Sequence, residues 1–211
     1  MITSYSIIKN KAVLLDGELY LSDIRTENFS VIVKKLYKML KIQYPKFHKM
    51  DDLTKLGFIS SELLLQNKNI MNEYSGEDIG LVFANQSSSL DTDIRFYSTI
   101  NNRDQYFPSP SVFVYTLPNI MLGEICIRNK FNGENAFFVL EKFDPEFILE
   151  YSQLLFDQDK IECCIAGWVE LLSNNFESLL FLLEKNNNKN SKTFELNNII
   201  RQYKEYGDIN R

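Results

Sequence analysis

The chain has a single histidine, His48, and three cysteines, Cys126, Cys163 and Cys164. One histidine cannot build a multi-histidine metal site. The cysteines show no Cys-x-x-Cys or Cys/His spacing of the kind that holds zinc. A Ser-His-Asp triad would have to run through His48, and no Gly-x-Ser-x-Gly elbow accompanies it. No metal or cofactor is expected. There is no apolar run of about 18 residues, so no membrane span is expected. The opening MITSYSIIKNKAVLLDGELY is interrupted by Lys9, Lys11 and Asp16 and lacks the apolar core and cleavage site of a secretory leader, which points to a cytoplasmic protein. A formal net charge of −5 argues against general nucleic-acid binding.

What is present fits one domain with a bulky core. The 211 residues are 45% hydrophobic and 24% charged, with 16 Phe and 11 Tyr. Short apolar runs at 6–8 and 12–15 read as strands, and Asp16-Gly17 is a tight-turn dipeptide, so an opening hairpin or a strand with a return is expected. Phe29, Ile32, Val33, Leu36 and Leu40 predict a helix over 27–42, which Tyr44-Pro45 ends. A second helix fits 52–66, with Asp51 or Asp52 as its cap. Residues 78–84 read as a buried strand, 85–89 as a loop, 90–100 as a helix and 101–111 as a polar loop. Pro118 suits the first turn of a helix to about 129. A strand over 136–140, a helix over 145–157, strands over 161–169 and 178–183, a polar loop at 186–192 and a helix over 194–205 complete the chain. Strands alternating with helices predict an α/β fold, and the last two strands suit a terminal hairpin.

Several segments carry a family resemblance. Pro110-Ser111-Val112-Phe113 is followed by Thr116-Leu117-Pro118-Asn119, Gly123, Gly133-Glu134-Asn135 and the apolar run Ala136–Leu140. Upstream stand Tyr44-Pro45-Lys46-Phe47, Lys49-Met50-Asp51-Asp52-Leu53-Thr54-Lys55, Asp78-Ile79-Gly80-Leu81-Val82-Phe83-Ala84 and Ser88-Ser89-Leu90-Asp91-Thr92. Downstream stands Ala166-Gly167-Trp168-Val169-Glu170. In order and spacing these resemble the β-ketoacyl-acyl-carrier-protein synthases, the thiolase-like condensing enzymes, over roughly residues 44–170. The resemblance implies a single ketosynthase-like N-terminal domain over 1–211: one thiolase-like half, with a mixed five-stranded sheet and helices on both faces.

The departures shape the functional expectation. Counting on from Asn135, the family's nucleophilic cysteine falls at Lys142. An amine there would form a stable amide rather than a labile thioester. The family's second half, which supplies two histidines and a lysine, finds no counterpart in these 211 residues. The resemblance therefore implies a non-catalytic subunit that pairs with a full-length ketosynthase or with itself, in fatty-acid, polyketide or aryl-polyene-like synthesis. An acyl carrier protein is a further implied partner. The alternative is a small acyl- or phosphopantetheine-binding protein, or a thioesterase-like enzyme, using a residual pocket lined by Ser111, Thr116, Asn119 and Lys142. A relic with a purely structural role is a third reading.

Each candidate has a plainer reading. Lys142 is either a contact for a carboxylate or carrier, or a solvated residue at a strand end. Phe137, Phe138 and Val139 lie on a strand that the resemblance places at a dimer interface; the plainer reading is an interior strand. Lys34, Lys35, Lys38 and Lys41, followed by Lys46, Lys49 and Lys55, form a basic run that would dock an acidic carrier or simply make a solvated helix face. The cysteines read as core packing and His48 as a surface residue. A sheet face left open by the lacking half is expected to mark an interface.

Overall fold

The computed structural model describes residues 1–9, 12–22, 24, 28–102, 104, 106–185 and 193–206. The loop read at 186–192 lies outside the described residues. Seven strands form one mixed sheet, ordered β3-β2-β1-β7-β6-β4-β5. The strands are β1 (Ile2–Lys9), β2 (Ala12–Leu15), β3 (Glu18–Ser22), β4 (Ile79–Asn85), β5 (Asn135–Val139), β6 (Cys163–Leu172) and β7 (Asn175–Glu184). The helices are α1 (Phe29–Met39), α2 (Asp52–Leu64), α3 (Leu90–Tyr97), α4 (Pro110–Phe113), α5 (Ile120–Asn129), α6 (Pro145–Asp157) and α7 (Leu196–Glu205). β4 runs parallel to β5 and β6; every other pairing is antiparallel.

The α/β class holds, and the strand count is larger than five. The excess comes from the opening segment. β1 pairs with β7 and turns back through β2 and β3 as a meander. β3 has the sequence ELYLS and is largely exposed, so it lacks the apolar signature of an interior strand. Its turn follows from the sequence: Asp16 and Gly17 both take positive φ, 53° and 87°, the backbone of a two-residue hairpin turn. The Asp16 carboxylate locks it by accepting from Ser4 Oγ at 2.6 Å and Tyr5 N at 2.9 Å.

Both faces of the sheet are covered. α1, α2 and α5 pack on one face, where Ile32, Leu36, Leu56, Ile59 and Ile125 meet Leu81, Phe83, Cys163 and Ile165. α6 and α7 pack on the other, where Ile148, Leu155, Ile199 and Tyr203 meet Val82, Ala84, Cys164 and Trp168. The expected open apolar face is therefore a misreading: α6 and α7 close it from within the same chain. Cys163 and Cys164 point to opposite faces, as adjacent strand residues must.

Several helices are shorter than the periodicity implied, because apolar residues such as Leu40, the cap of α1, keep the helical spacing past the last helical residue. Asp51 is the α2 cap, accepting from Thr54 N at 3.0 Å. α5 begins at Ile120 with Asn119 as its cap, so Pro118 precedes the helix instead of occupying its first turn. Pro110 opens α4 inside the segment read as a loop. Strand β4 takes in Asn85, and Asp78 belongs to a preceding 3-10 turn.

Candidate functional site

In open α/β sheets, ligands gather at the carboxyl ends of parallel strands. Here those ends are Asn85 on β4 and Val139 on β5, beside Glu170, which lies on β6 just past its parallel pairing with β4. The connection after β4 is closed on itself. Asn85 accepts from Ser88 N and donates to Ser88 O, both at 2.9 Å, which holds Ser88 at φ 51°. One oxygen of Glu170 accepts from Gln86 N at 2.7 Å and Ser87 N at 3.1 Å. The backbone N–H groups of Gln86 and Ser87 are thus already occupied by a carboxylate of the protein, and that of Ser88 by the Asn85 amide oxygen.

Lys142 lies just past β5 and is exposed. Its neighbour Phe143 turns inward, with its ring 5.5 Å from that of Trp168 and 5.2 Å from that of Tyr203 on α7. Lys9 Nζ sits 3.8 Å over the Tyr203 ring and pairs with Glu177 at 2.7 Å. Burial pushes the Tyr203 phenol well above its ordinary range, with Glu177 adding to the effect. The ground beneath the strand ends is filled by aromatic packing.

The other candidate polar groups each make local contacts. Ser111 is exposed on α4, with its hydroxyl 3.1 Å from that of Ser109. Thr116 donates to Phe113 O at 2.7 Å. Asn119 is exposed and makes no side-chain cap bond. Among the described residues no hydrogen bond joins any two of Ser111, Thr116, Asn119 and Lys142.

The cysteines lie elsewhere. Cys163 pairs in register with Ile79, so Cys163 and Cys164 stand at the opposite end of β4 and β6 from Asn85. Burial raises the Cys164 thiol to about 12 and that of Cys126, on α5, to about 11; Cys163 is raised as well, again mainly by burial. A thiol in that range is protonated at neutral pH and is a poor nucleophile. His48 is exposed, beside Tyr37 and Phe47. Among the described residues no group of three or more His, Cys, Asp or Glu could hold a metal ion. No single described helix is long and apolar enough to cross a membrane.

β5 is an edge of the sheet, paired only with β4. Phe137 faces the α2–α5 side, and Phe138 faces α6, with its ring 5.0 Å from that of Phe147 and 4.8 Å from that of Tyr151. Val139 is 56% exposed. Large apolar side chains are also exposed on the segment between β4 and β5: Leu90, Ile94 and Tyr97 on one stripe of α3, then Phe107, Phe113 and Leu117. Sequence periodicity could have found the α3 stripe, whose spacing of four and three marks one helix face.

No protein-family model matches the chain, and no curated protein matches it significantly. Solved structures do. The chain is similar to the ishigamide ketosynthase/chain length factor, with TM-score 0.65 and 18% identity over 87% of this chain and 61% of that one. It is also similar to the ketosynthase ApeO in complex with its chain length factor ApeC from Xenorhabdus doucetiae, with TM-score 0.58 and 12% identity over 88% of this chain and 79% of that one. A β-ketoacyl synthase from Burkholderia phymatum gives TM-score 0.58 and 11% identity over 87% of this chain and 58% of that one. The chain thus spans less than two thirds of the first of these. At such identities the likeness is one of fold: the described residues adopt the fold of the ketosynthases and chain length factors.

Proposed function

We propose that the chain is a non-catalytic, ketosynthase-like subunit: a single N-terminal-type domain over 1–211 that pairs with an active ketosynthase in fatty-acid or polyketide-type synthesis. The observation that carries this reading is β5. It is an apolar edge strand with no further strand paired to its outer side among the described residues, and a β-edge of this kind is a template for pairing with another chain. The exposed apolar side chains of α3, α4 and the turn to Leu117 would extend that contact.

Three further features support the non-catalytic part. Lys142 stands where the nucleophile is counted to fall. The three thiols are held protonated and lie away from the strand ends. The space under those ends is taken by Phe143, Trp168 and Tyr203. Among the neighbours, one ketosynthase is in complex with its chain length factor and another with an acyl-carrier protein, which fits a paired role for this chain. An acidic acyl carrier would meet the lysines of α1 in this reading.

The test is co-expression with ketosynthases encoded beside the gene, followed by light scattering. A complex whose mass equals the sum of the two chains supports the reading. A chain that ignores every such ketosynthase sinks it.

A further inference from the structure

Two helices on opposite faces of the sheet carry exposed charge of opposite and single sign. On α1 the exposed stripe is Val31, Lys34, Lys35, Lys38 and Met39, and Lys41 continues it just past the helix end. α1 contains no Asp or Glu, and among the described residues no carboxylate pairs with Lys34, Lys38 or Lys41. On α6 the exposed stripe is Glu146, Glu150, Gln153, Leu154 and Asp157, and α6 contains no Lys, Arg or His. Both stripes follow the three- and four-residue spacing of one helix face.

Soluble helices ordinarily intersperse the two signs, because pairs spaced three or four apart stabilise the helix and like charges so spaced oppose it. The helix dipole accounts for Glu146 in the first turn of α6 and for Lys38 in the last turn of α1. It does not account for Asp157, at the carboxyl end of α6 where a negative charge is disfavoured, nor for Lys34 in the middle of α1. Each stripe also holds exposed apolar surface: Val31 and Met39, 41% and 43% exposed, on α1, and Leu154, 47% exposed, on α6. The stripes are of comparable length, the acidic one about a turn longer. From Val31 to Met39 is roughly 12 Å along the helix, and from Glu146 to Asp157 roughly 16 Å.

We propose that these two surfaces dock on each other between copies of the chain, α1 of one copy lying against α6 of the next. The partner is a second copy because the complementary stripe, with the opposite sign, the same spacing and its own apolar residue, is present on this same chain. The contact is heterologous: it joins two different faces and leaves one of each free, so it propagates head to tail. It is independent of the β5 edge, which lies at the side of the sheet and not on either face. A carrier protein using the lysines would compete with it.

The experiment is sedimentation velocity on the full chain at increasing concentration, in about 0.02 M and about 0.5 M salt, where the screening length falls from roughly 20 Å to roughly 4 Å. Wild type is expected to grow beyond the monomer, or beyond any salt-insensitive dimer, only at low salt. Lys34→Glu/Lys38→Glu and Glu146→Lys/Glu150→Lys alter exposed positions, and each variant alone is expected to lose that growth with its circular dichroism unchanged. Mixed in equal amounts, the two variants are expected to associate again, because each then offers the sign the other needs. A wild-type mass that ignores salt and concentration overturns the proposal, whether that mass is a monomer's or a β5-paired dimer's. So does growth that survives either reversal, or a mixture that stays unassociated. Failure to bind a ketosynthase bears only on the β5 edge and leaves this proposal standing.

Discussion

Thr92 on α3 donates to the buried carboxylate of Asp51 at 2.6 Å, and the other oxygen of that carboxylate caps α2 by accepting from Thr54 N at 3.0 Å. One side chain thus ties the start of α2 to the helix that carries the exposed apolar stripe. A buried cap should be worth about 1 kcal/mol for its backbone bond, and its removal also strands a buried hydroxyl. Asp51→Ala should therefore lower unfolding stability by roughly 2 kcal/mol in urea titration, with loosening concentrated in α3 when followed by hydrogen exchange.

The same residue gives stability a pH dependence. Burial raises the Asp51 carboxyl above its ordinary value, outweighing the bonds from Thr54 and Thr92 that act in the other direction. The folded protein then binds this proton more tightly than the unfolded chain does. Its contribution is fully present below the unfolded value near 4 and is lost as pH rises through the raised folded value. Asp51→Asn removes this contribution. The stability of wild type relative to Asp51→Asn should rise as pH falls through that window; a difference that is flat or of opposite slope would contradict the assignment.

Trp168 is the only tryptophan and is 2% exposed, so its fluorescence reports on the aromatic packing that fills the strand ends. Phe143 bridges it to Tyr203 on α7. Tyr203→Ala should shift the Trp168 emission to the red and cost on the order of 3 kcal/mol, in the range of large aromatic truncations. An unchanged spectrum would show that α7 does not seal this end of the sheet.

The thiols offer a chemical test of the non-catalytic reading. Cys163 and Cys164 are buried, and Cys126 is half-buried with its thiol raised to about 11. In the native protein at neutral pH a disulfide reagent should label Cys126 slowly and the other two not at all, while denaturant should release all three. The Cys126 rate should climb with pH toward about 11 as the thiolate forms. Rapid, stoichiometric labelling of one thiol at neutral pH would revive a nucleophilic role.

How much of this was legible beforehand differs by element. Leu81–Ala84 and Cys163–Val169 are apolar throughout and announced interior strands, and α6 matched its expected bounds because Pro145 and the cap Asp144 mark its start. β3 stayed hidden, because an exposed edge strand carries little apolar pattern and is defined by its pairing with β2. The closing role of α7 was also hidden. Ile199 and Tyr203 show an apolar face, but nothing local says which layer that face will meet. Ser111, Thr116, Asn119 and Lys142 were grouped by resemblance to a site, and a shared pocket is a tertiary matter that no local pattern carries. Gly167 was legible only as part of a motif; in the fold its φ is 156°, and a Cβ there would lie 2.1 Å from the Leu179 carbonyl oxygen.

That last contact yields a prediction of its own, since the obstacle is backbone and cannot rotate away. Gly167→Ala should force β6 and β7 apart at the centre of the sheet, next to Trp168, and lower stability by more than about 1 kcal/mol.

The edge at β5 gives the sharpest separation between folding and association. Val139 is exposed and ends the strand, so a lysine there costs the isolated chain little, within about 0.5 kcal/mol for a surface change. Charged residues on an edge oppose pairing with another strand, because the ammonium would have to be desolvated within the new ladder. Val139→Lys should therefore leave the unfolding midpoint unchanged and abolish co-purification with a ketosynthase. Loss of both together would mean that Val139 serves the fold rather than a partner. Retention of the complex would place the contact elsewhere, with the exposed stripe of Leu90, Ile94 and Tyr97 on α3 as the surface to alter next.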